Sequence, residues 1–520
     1  MRLPWPFRIL RGLRPTATLQ GRSPNHLMIH RTLSRREFVV AASTVLAAGC
    51  RKPEQSNLAH PLPVQPNIIV WLADSLRADR LPCYGCPLDT APNITAFAHQ
   101  AAVFDACYAA ATWTLPATLS LLTGLPPLVH RTVVPEWSVA GRAAGKKHQV
   151  LPPSIPTTAK HLSAAGYDTA HFQSNPNATR EHGIEQGFHH YYYQLNAGFE
   201  EQTTAFLEWL RTEAREPFYA YIHLIDPHEP YTPDPEVFKQ LHGDTIDERL
   251  ARLPKAESAR LQGYHRQTWD GIFKTDQRPG PEILTRFSRE SLQYLEALYT
   301  AEIRGMDGQF GRMLAALDEQ GLRDRCIVTV TSDHGEAFGE DGLFYHGCGL
   351  HDAQIHVPLV LQLPGMFAGT RYPHTVSQYD IHPTLLALAG VTDADTYGSV
   401  ILGREGEFPR EPGRPVLTSL DLNLPDPERW RFRLTAGDIR VESQEGSLRC
   451  AVSRAGGPPN RRWVALDEVE KIPDAATRTA VEYFYTESHY LKELAAAHGA
   501  PGWFEKSDSD DDTLKALGYL

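Results

Sequence analysis

Cysteine is scarce in this chain, at seven in 520 residues, which excludes a disulfide-rich scaffold. A basic excess is also missing. The 51 Lys+Arg against 62 Asp+Glu give a formal charge of −11, which argues against nucleic acid as a partner. An anionic substrate stays open, because a bound cation or a helix N-terminus can hold one locally. Beyond the N-terminal region, no stretch is long and apolar enough for a transmembrane helix. What is present suffices for a sizeable core: 42% of residues are hydrophobic and 22% charged, which excludes wholesale disorder. The length fits one large α/β domain plus a smaller one.

One cysteine stands apart. Ser34-Arg35-Arg36-Glu37-Phe38 is a twin-arginine pattern, followed by an apolar run from Val39 to Ala48. Leu46-Ala47-Ala48-Gly49-Cys50 closes the run and resembles a bacterial lipobox. Basic residues ahead of a short apolar stretch are signal-peptide anatomy. The expectation is a signal over 1–50, a tether over 51–65 and an exported envelope protein held to the membrane by a lipidated Cys50. Met28 is a plausible start.

Asn67 to Leu72, Phe218 to Ile225, Cys326 to Val330 and Val357 to Leu363 are short apolar runs that read as buried parallel strands. Helical patterns fall between them, over Pro92 to Val103, Pro116 to Leu122, Thr157 to Ala165 and Ser291 to Leu317. The predicted fold class is α/β: a mostly parallel sheet flanked by helices over 66–395, with a smaller C-terminal α+β subdomain over 396–520. Residues 232–287 are Pro-rich and weakly periodic, so they read as an insertion. Strand-like pieces at Arg431 to Leu434 and Arg461 to Leu466 mark the subdomain. Three strands end at Asp74, at Asp226-Pro227-His228 and at Asp333-His334. Ligands in such folds bind beyond the carboxyl ends of the strands.

Asp74, Asp333 and His334 are therefore expected to meet, and two carboxylates with an imidazole suit a divalent metal. Each alone would more often be a cap or a satisfied polar group. Thr114 precedes Pro116, a residue suited to a helix's first turn, with Gly124 as the stop. Its bland role is a helix cap. Its sharper role is a nucleophile and metal contact at an anion-attracting helix end.

Taken in order, these segments resemble the sulfatases of the alkaline-phosphatase superfamily. Asp74 to Gly85, Thr90-Ala91-Pro92-Asn93-Ile94 and Ser120-Leu121-Leu122-Thr123-Gly124 carry the likeness. So do His223 to Tyr231, Tyr299 to Leu317, Ser332 to Glu336, Tyr345-His346-Gly347, His356 to Leu359 and the ending Leu514 to Leu520. The family's C-x-P-S-R motif becomes Thr114-Leu115-Pro116-Ala117-Thr118 here, so no formylglycine is expected. Threonine's β-methyl forbids that aldehyde. The motif's Arg is replaced by Thr118, and only His171 offers an imidazole where the family has Lys and His.

The resemblance implies a metal-dependent hydrolase of sulfate or phosphate esters. A threonine nucleophile is what phosphoryl-transferring relatives use. In that scheme one divalent metal binds Asp74, Thr114, Asp333 and His334. Zn or Mn is favoured by His334, with Ca and Mg open. His228 or His346 would protonate the leaving group or stabilise the equatorial oxygens. Asp226, His223, His351 and His356 are weaker candidates for a second metal. Cys83 and Cys86 form a C-x-x-C to which neither a disulfide nor a zinc is assigned. The alternatives are a phospho-group transferase acting on envelope glycan or lipid, and a retired sulfatase that only binds anionic glycan.

Overall fold

A computed structural model describes residues 61–134, 147–195, 197–262, 287–366, 369–392, 396–409, 414–420, 430–443, 449–454, 462–465, 472, 474–498 and 502–505. The expected signal, Cys50, most of the tether, residues 263–286 of the insertion, the Ser507 to Asp512 run and the Leu514 to Leu520 ending lie outside the described residues.

In chain order the strands are β1 (Asn67–Ala73), β2 (Ala102–Tyr108), β3 (Lys147–Val150), β4 (Asp168–Gln173), β5 (His190–Tyr193) and β6 (Phe218–Leu224). They continue with β7 (Cys326–Thr331), β8 (Ala337–Phe338), β9 (Phe344–Tyr345), β10 (His356–Val357), β11 (Leu359–Gln362) and β12 (Thr370–Ser377). Nine of them form the main sheet, in the order β10-β2-β11-β7-β1-β6-β4-β5 with β12 beside β2. β7, β1, β6, β4 and β5 run parallel, while β11 runs against both β7 and β2. The sheet is thus mixed but mostly parallel.

Every residue of β1 is buried, because helices cover both faces of a parallel sheet. Ile68, Val70 and Leu72 pack on one side with Leu115 and Leu119. Ile69, Trp71 and Ala73 pack on the other with Leu298, Met306 and Phe310. These last three lie on the long helix Arg289–Glu319, which Ser288 caps by accepting the Ser291 N–H. The helix contains the stretch expected over Ser291 to Leu317.

Two sequence expectations need correction. The parallel strand over Val357 to Leu363 is instead the pair β10 and β11, both antiparallel to their neighbours. Pro358 separates them and has no N–H for a ladder. The chain re-enters the sheet at the carboxyl end of β7, where Leu359 pairs with Thr331, so it must run back. The helix over Pro92 to Val103 stops at Ala98, and β2 begins at Ala102. Val103 pairs with Val360 in the sheet, so tertiary pairing overrides the local pattern there.

Near the C-terminus a separate antiparallel sheet runs in the order β13 (Val416–Leu420), β14 (Arg431–Ala436), β15 (Ile439–Ser443), β16 (Arg449–Arg454) and β17 (Arg462–Ala465). A long helix, Ala475–His498, packs against β15 and against helix Pro127–His130. It buries Val481, Phe484 and Leu491. In the insertion, Pro235–His242, Ile246–Ala251 and Lys255–Leu261 are short helices.

Candidate active site

Register brings the chemistry together. Ala73 pairs with Leu224, and Leu72 with Thr331. The chain segments that leave β1, β6 and β7 therefore start from one sheet edge. Asp74 and Asp333 are both fully buried there.

The backbone between the two carboxylates is shaped to hold them. Ser75 adopts φ 60, a left-handed conformation uncommon outside glycine. That turn aims the Ser75 N–H at Asp333 Oδ1, 3.1 Å away, while the Ser75 hydroxyl donates to Asp74 Oδ1 at 3.0 Å. The His334 N–H also donates to Asp333 Oδ1, at 2.9 Å. Asp333 Oδ2 is buried and accepts no hydrogen bond.

His334 points Nε2 at both carboxylates, 3.5 Å from Asp74 Oδ1 and 3.4 Å from Asp333 Oδ2. Its Nδ1 pairs with the Gly335 carbonyl at 2.9 Å, which fixes Nε2 as the lone-pair atom. Glycine is required at 335, because a Cβ there would meet the Ala353 carbonyl oxygen at 2.1 Å.

Thr114 is the first residue of helix Thr114–Thr123, not the residue before it. The cap position is Trp113, and no side chain caps the helix. The bland role for Thr114 therefore does not apply. Its hydroxyl lies 3.3 Å from His334 Nε2 and receives the Asn175 side-chain N–H at 3.4 Å. Gly124 ends the helix at φ 68, as expected.

Asn175 also donates to Asp74 Oδ2 and is itself held by the Asn177 N–H, 2.6 Å from its Oδ1. The sequence reading missed it. Its strand, β4, interleaves Thr169, His171 and Gln173 with apolar residues and gives no continuous hydrophobic run. His171 does not enter the site; its ring packs among Phe188, Tyr191 and Tyr221.

A second cluster adjoins the first. The ring of His346 lies 4.4 Å from that of His334 and 4.8 Å from that of His228, centroid to centroid. His346 Nδ1 faces Glu336 Oε1 at 3.2 Å. His228 Nδ1 meets the Glu229 main-chain oxygen at 2.6 Å and the Glu229 carboxylate at 3.4 Å. Glu229 and Glu336 lie in the segments His223 to Tyr231 and Ser332 to Glu336, whose pattern gives neither carboxylate a role.

Of the weaker second-metal candidates, only His223 reaches the site, with Nε2 3.3 Å from Asp74 Oδ2. Asp226 accepts the Phe199 N–H at 2.8 Å, His351 caps helix Asp352–Ile355, and His356 pairs with the Asp105 carbonyl at 3.0 Å. These three do structural work. Cys83 and Cys86 are free thiols.

Electrostatics separates the two clusters. Burial alone would raise the Asp74 carboxyl, but the His223 hydrogen bond and the nearby His228 and His334 hold it below the ordinary value. Burial and the Asp74 charge push Asp333 up, and burial pushes His334 down. Across the pocket, burial opposes a charged His228, yet Glu229, Asp74 and Glu336 raise it to about 9. Burial lifts Glu336 to about 8 and Glu229 to about 7.

The donor set of the first cluster fits a divalent cation. The ligand atoms of Asp74, Asp333 and His334 lie within 4.8 Å of one another. Two facing carboxylates with one oxygen lacking a donor form the environment a cation stabilises.

A mostly parallel sheet with this cluster beyond its carboxyl edge defines an alkaline-phosphatase-like α/β protein. Residues 66–391 match the sulfatase family, and the chain belongs to it. It is similar to Arylsulfatase K of Homo sapiens, 31% identical over 196 residues, 37% of this chain and 36% of the relative. The chain thus matches about a third of the length of such curated relatives. In fold it is similar to a phosphonate monoester hydrolase of Agrobacterium radiobacter, with TM-score 0.59 at 20% identity over 85% of this chain and 100% of that one. A 2-O GAG sulfatase gives TM-score 0.59 at 17% identity over 84% and 95%.

Proposed function

We propose that this chain hydrolyses sulfate or phosphate esters with Thr114 as the direct nucleophile. The carrying observation is the Thr114 hydroxyl, buried beside His334 Nε2 at 3.3 Å and Asn175 Nδ2 at 3.4 Å. A threonine that merely capped its helix would turn its oxygen to backbone N–H groups instead.

Asp74, Asp333, His334 and Thr114 would hold one divalent cation, for which the imidazole favours Zn or Mn. When bound, the cation lowers the hydroxyl's pKa and neutralises the substrate's oxygens. The first turn of the helix adds positive potential for the anion. Thr114 Oγ1 loses its proton to solvent and forms a bond to phosphorus or sulfur. The ester O–P or O–S bond breaks, and the leaving oxygen takes a proton from His228 or His346. Water then adds to the covalent ester, frees Thr114 with its proton, and the imidazole is reprotonated from solvent. The elevated His228 is suited to donating that proton.

The substrate is an anionic ester, and glycan or lipid headgroups are the candidates that an envelope location supplies. The twin-arginine pattern and the lipobox-like Cys50 support export and lipid anchoring, which labelled-lipid incorporation lost in Cys50→Ala would test.

For the activity, metal-loaded protein is offered aryl phosphates, phosphodiesters and aryl sulfates, beside Thr114→Ala. Turnover should fall by roughly 10⁴-fold or more in the variant. Undiminished turnover would reject the nucleophile. Trapping of a phosphate or sulfate adduct on Thr114 by mass spectrometry would support it.

A further inference from the structure

We propose that Glu336 is a positioning residue that clamps the Nδ1 edge of His346. The ring then presents Nε2–H to the ester held at Thr114. The proposal rests on the ester-hydrolysis reading above and assigns a role to a carboxylate that is not part of the cation site.

The fold builds this clamp deliberately. β8 and β9 are a two-residue antiparallel pair in which Ala337 opposes Tyr345. Continuing the register by one residue sets Glu336 against His346. Their side chains meet accordingly, with His346 Nδ1 at 3.2 and 3.4 Å from the two Glu336 oxygens. Glu336 is fully buried. Glu229 is different: its Oε2, 3.4 Å from His228 Nδ1 and 3.9 Å from His346 Nδ1, makes no hydrogen bond, and its main-chain oxygen takes His228 Nδ1 at 2.6 Å.

The hairpin is also tied to the nucleophile. The Gly347 N–H donates to the Thr112 carbonyl at 2.7 Å, two residues before Thr114. Tyr345 is held at φ 62, a conformation unfavourable for a bulky residue that persists only where packing enforces it. Gln354 helps enforce it by donating to the Tyr345 carbonyl at 2.8 Å.

An imidazole has two nitrogens, and a carboxylate on Nδ1–H decides which one faces the substrate. Here it leaves Nε2–H as the group that approaches the leaving oxygen. As the ester bond breaks, that proton moves from Nε2 to the leaving oxygen, and Nδ1–H stays with Glu336. The ring is left neutral.

The test uses metal-loaded full-length protein and a series of methyl, phenyl and nitrophenyl esters of one acid. Glu336→Gln should lose rate in proportion to leaving-group basicity, from about 10-fold on nitrophenyl to about 10³-fold on methyl esters. In a His346→Gln background it should add less than about threefold. An equal loss across the series, or full additivity, would overturn the proposal. If the wild type turns over none of the esters, the ester-hydrolysis reading fails instead. A second measurement needs neither turnover nor a variant that folds. Nitrogen-edited NMR of the histidine-labelled wild type should find His346 Nδ1 protonated and hydrogen-bonded. An unprotonated Nδ1 would overturn the clamp. So would two metal ions per chain with one lost in His346→Gln, since the cluster would then be a metal site.

Discussion

Two clusters of the same residue types sit side by side in this pocket and are organised for opposite ends. In the first, the His334 Nδ1 is spent on a carbonyl and Nε2 turns towards Asp74 and Asp333. Asp333 keeps an oxygen without a donor. In the second, the Glu336 carboxylate faces His346 Nδ1 directly, while His228 Nδ1 is held by the Glu229 main-chain oxygen. The first arrangement leaves lone pairs converging and calls for a cation. In the second, Glu229, Asp74 and Glu336 overcome burial and raise His228 towards its charged form. A count of His, Asp and Glu cannot distinguish them; the atom on which each ring is anchored does.

The widest gap between the clusters should appear on breaking each one. Asp333→Ala should abolish bound metal and reduce turnover by at least about 10³-fold. His228→Gln should leave metal content unchanged and reduce turnover of poor leaving groups by roughly 10²- to 10⁴-fold. Elemental analysis beside steady-state kinetics reads both. Metal lost equally from the two variants would merge the clusters into one centre and erase the distinction.

Much of the first cluster was legible in the sequence; of the second, the histidines His228 and His346 were, but not the carboxylates beside them. Asp74 follows the apolar run Ile68 to Ala73, Asp333 and His334 follow an apolar run interrupted only by Thr329, and strand ends in a parallel sheet share an edge by topology. Asn175 follows β4, whose polar residues hide the strand, so nothing in the sequence placed it beside Asp74. Glu336 and His346 oppose each other only because a two-residue ladder forms between them. Such a short pairing has no periodic signal. The orientation of β11 was also illegible, since an apolar run does not encode strand direction.

Asn175 gives an intermediate effect and sharpens the first half of the comparison. Its amide bridges Asp74 and Thr114 without being an expected ligand. Asn175→Ala should weaken metal affinity or turnover by roughly 10- to 100-fold, as second-layer partners of metal ligands do. Competition with a chelator measures the first and kinetics the second. If both stay at wild-type values, the orientation of Asp74 rests on Ser75 and His223 alone.

The smallest effect comes from a histidine with neither a carboxylate nor a cation. His130 is buried, its Nε2 3.1 Å from the Ser120 hydroxyl and its Nδ1 accepting the Thr132 N–H at 3.2 Å. Burial pushes it down from 6.5 to about 3, slightly opposed by a backbone contact at Pro116. The unfolded chain therefore binds this proton at higher pH than the folded one does. The stability this neutral ring contributes is complete above pH 6.5 and is lost as the pH falls through 6.5 towards 3. His130→Gln should flatten the pH dependence of the urea midpoint across that window and leave turnover at pH 7.5 near wild type. An unchanged slope would mean that His130 is charged in the fold without an anionic partner. The rule that separates the two clusters, that a buried imidazole takes its charge from the oxygen beside it, would then fail at its simplest instance.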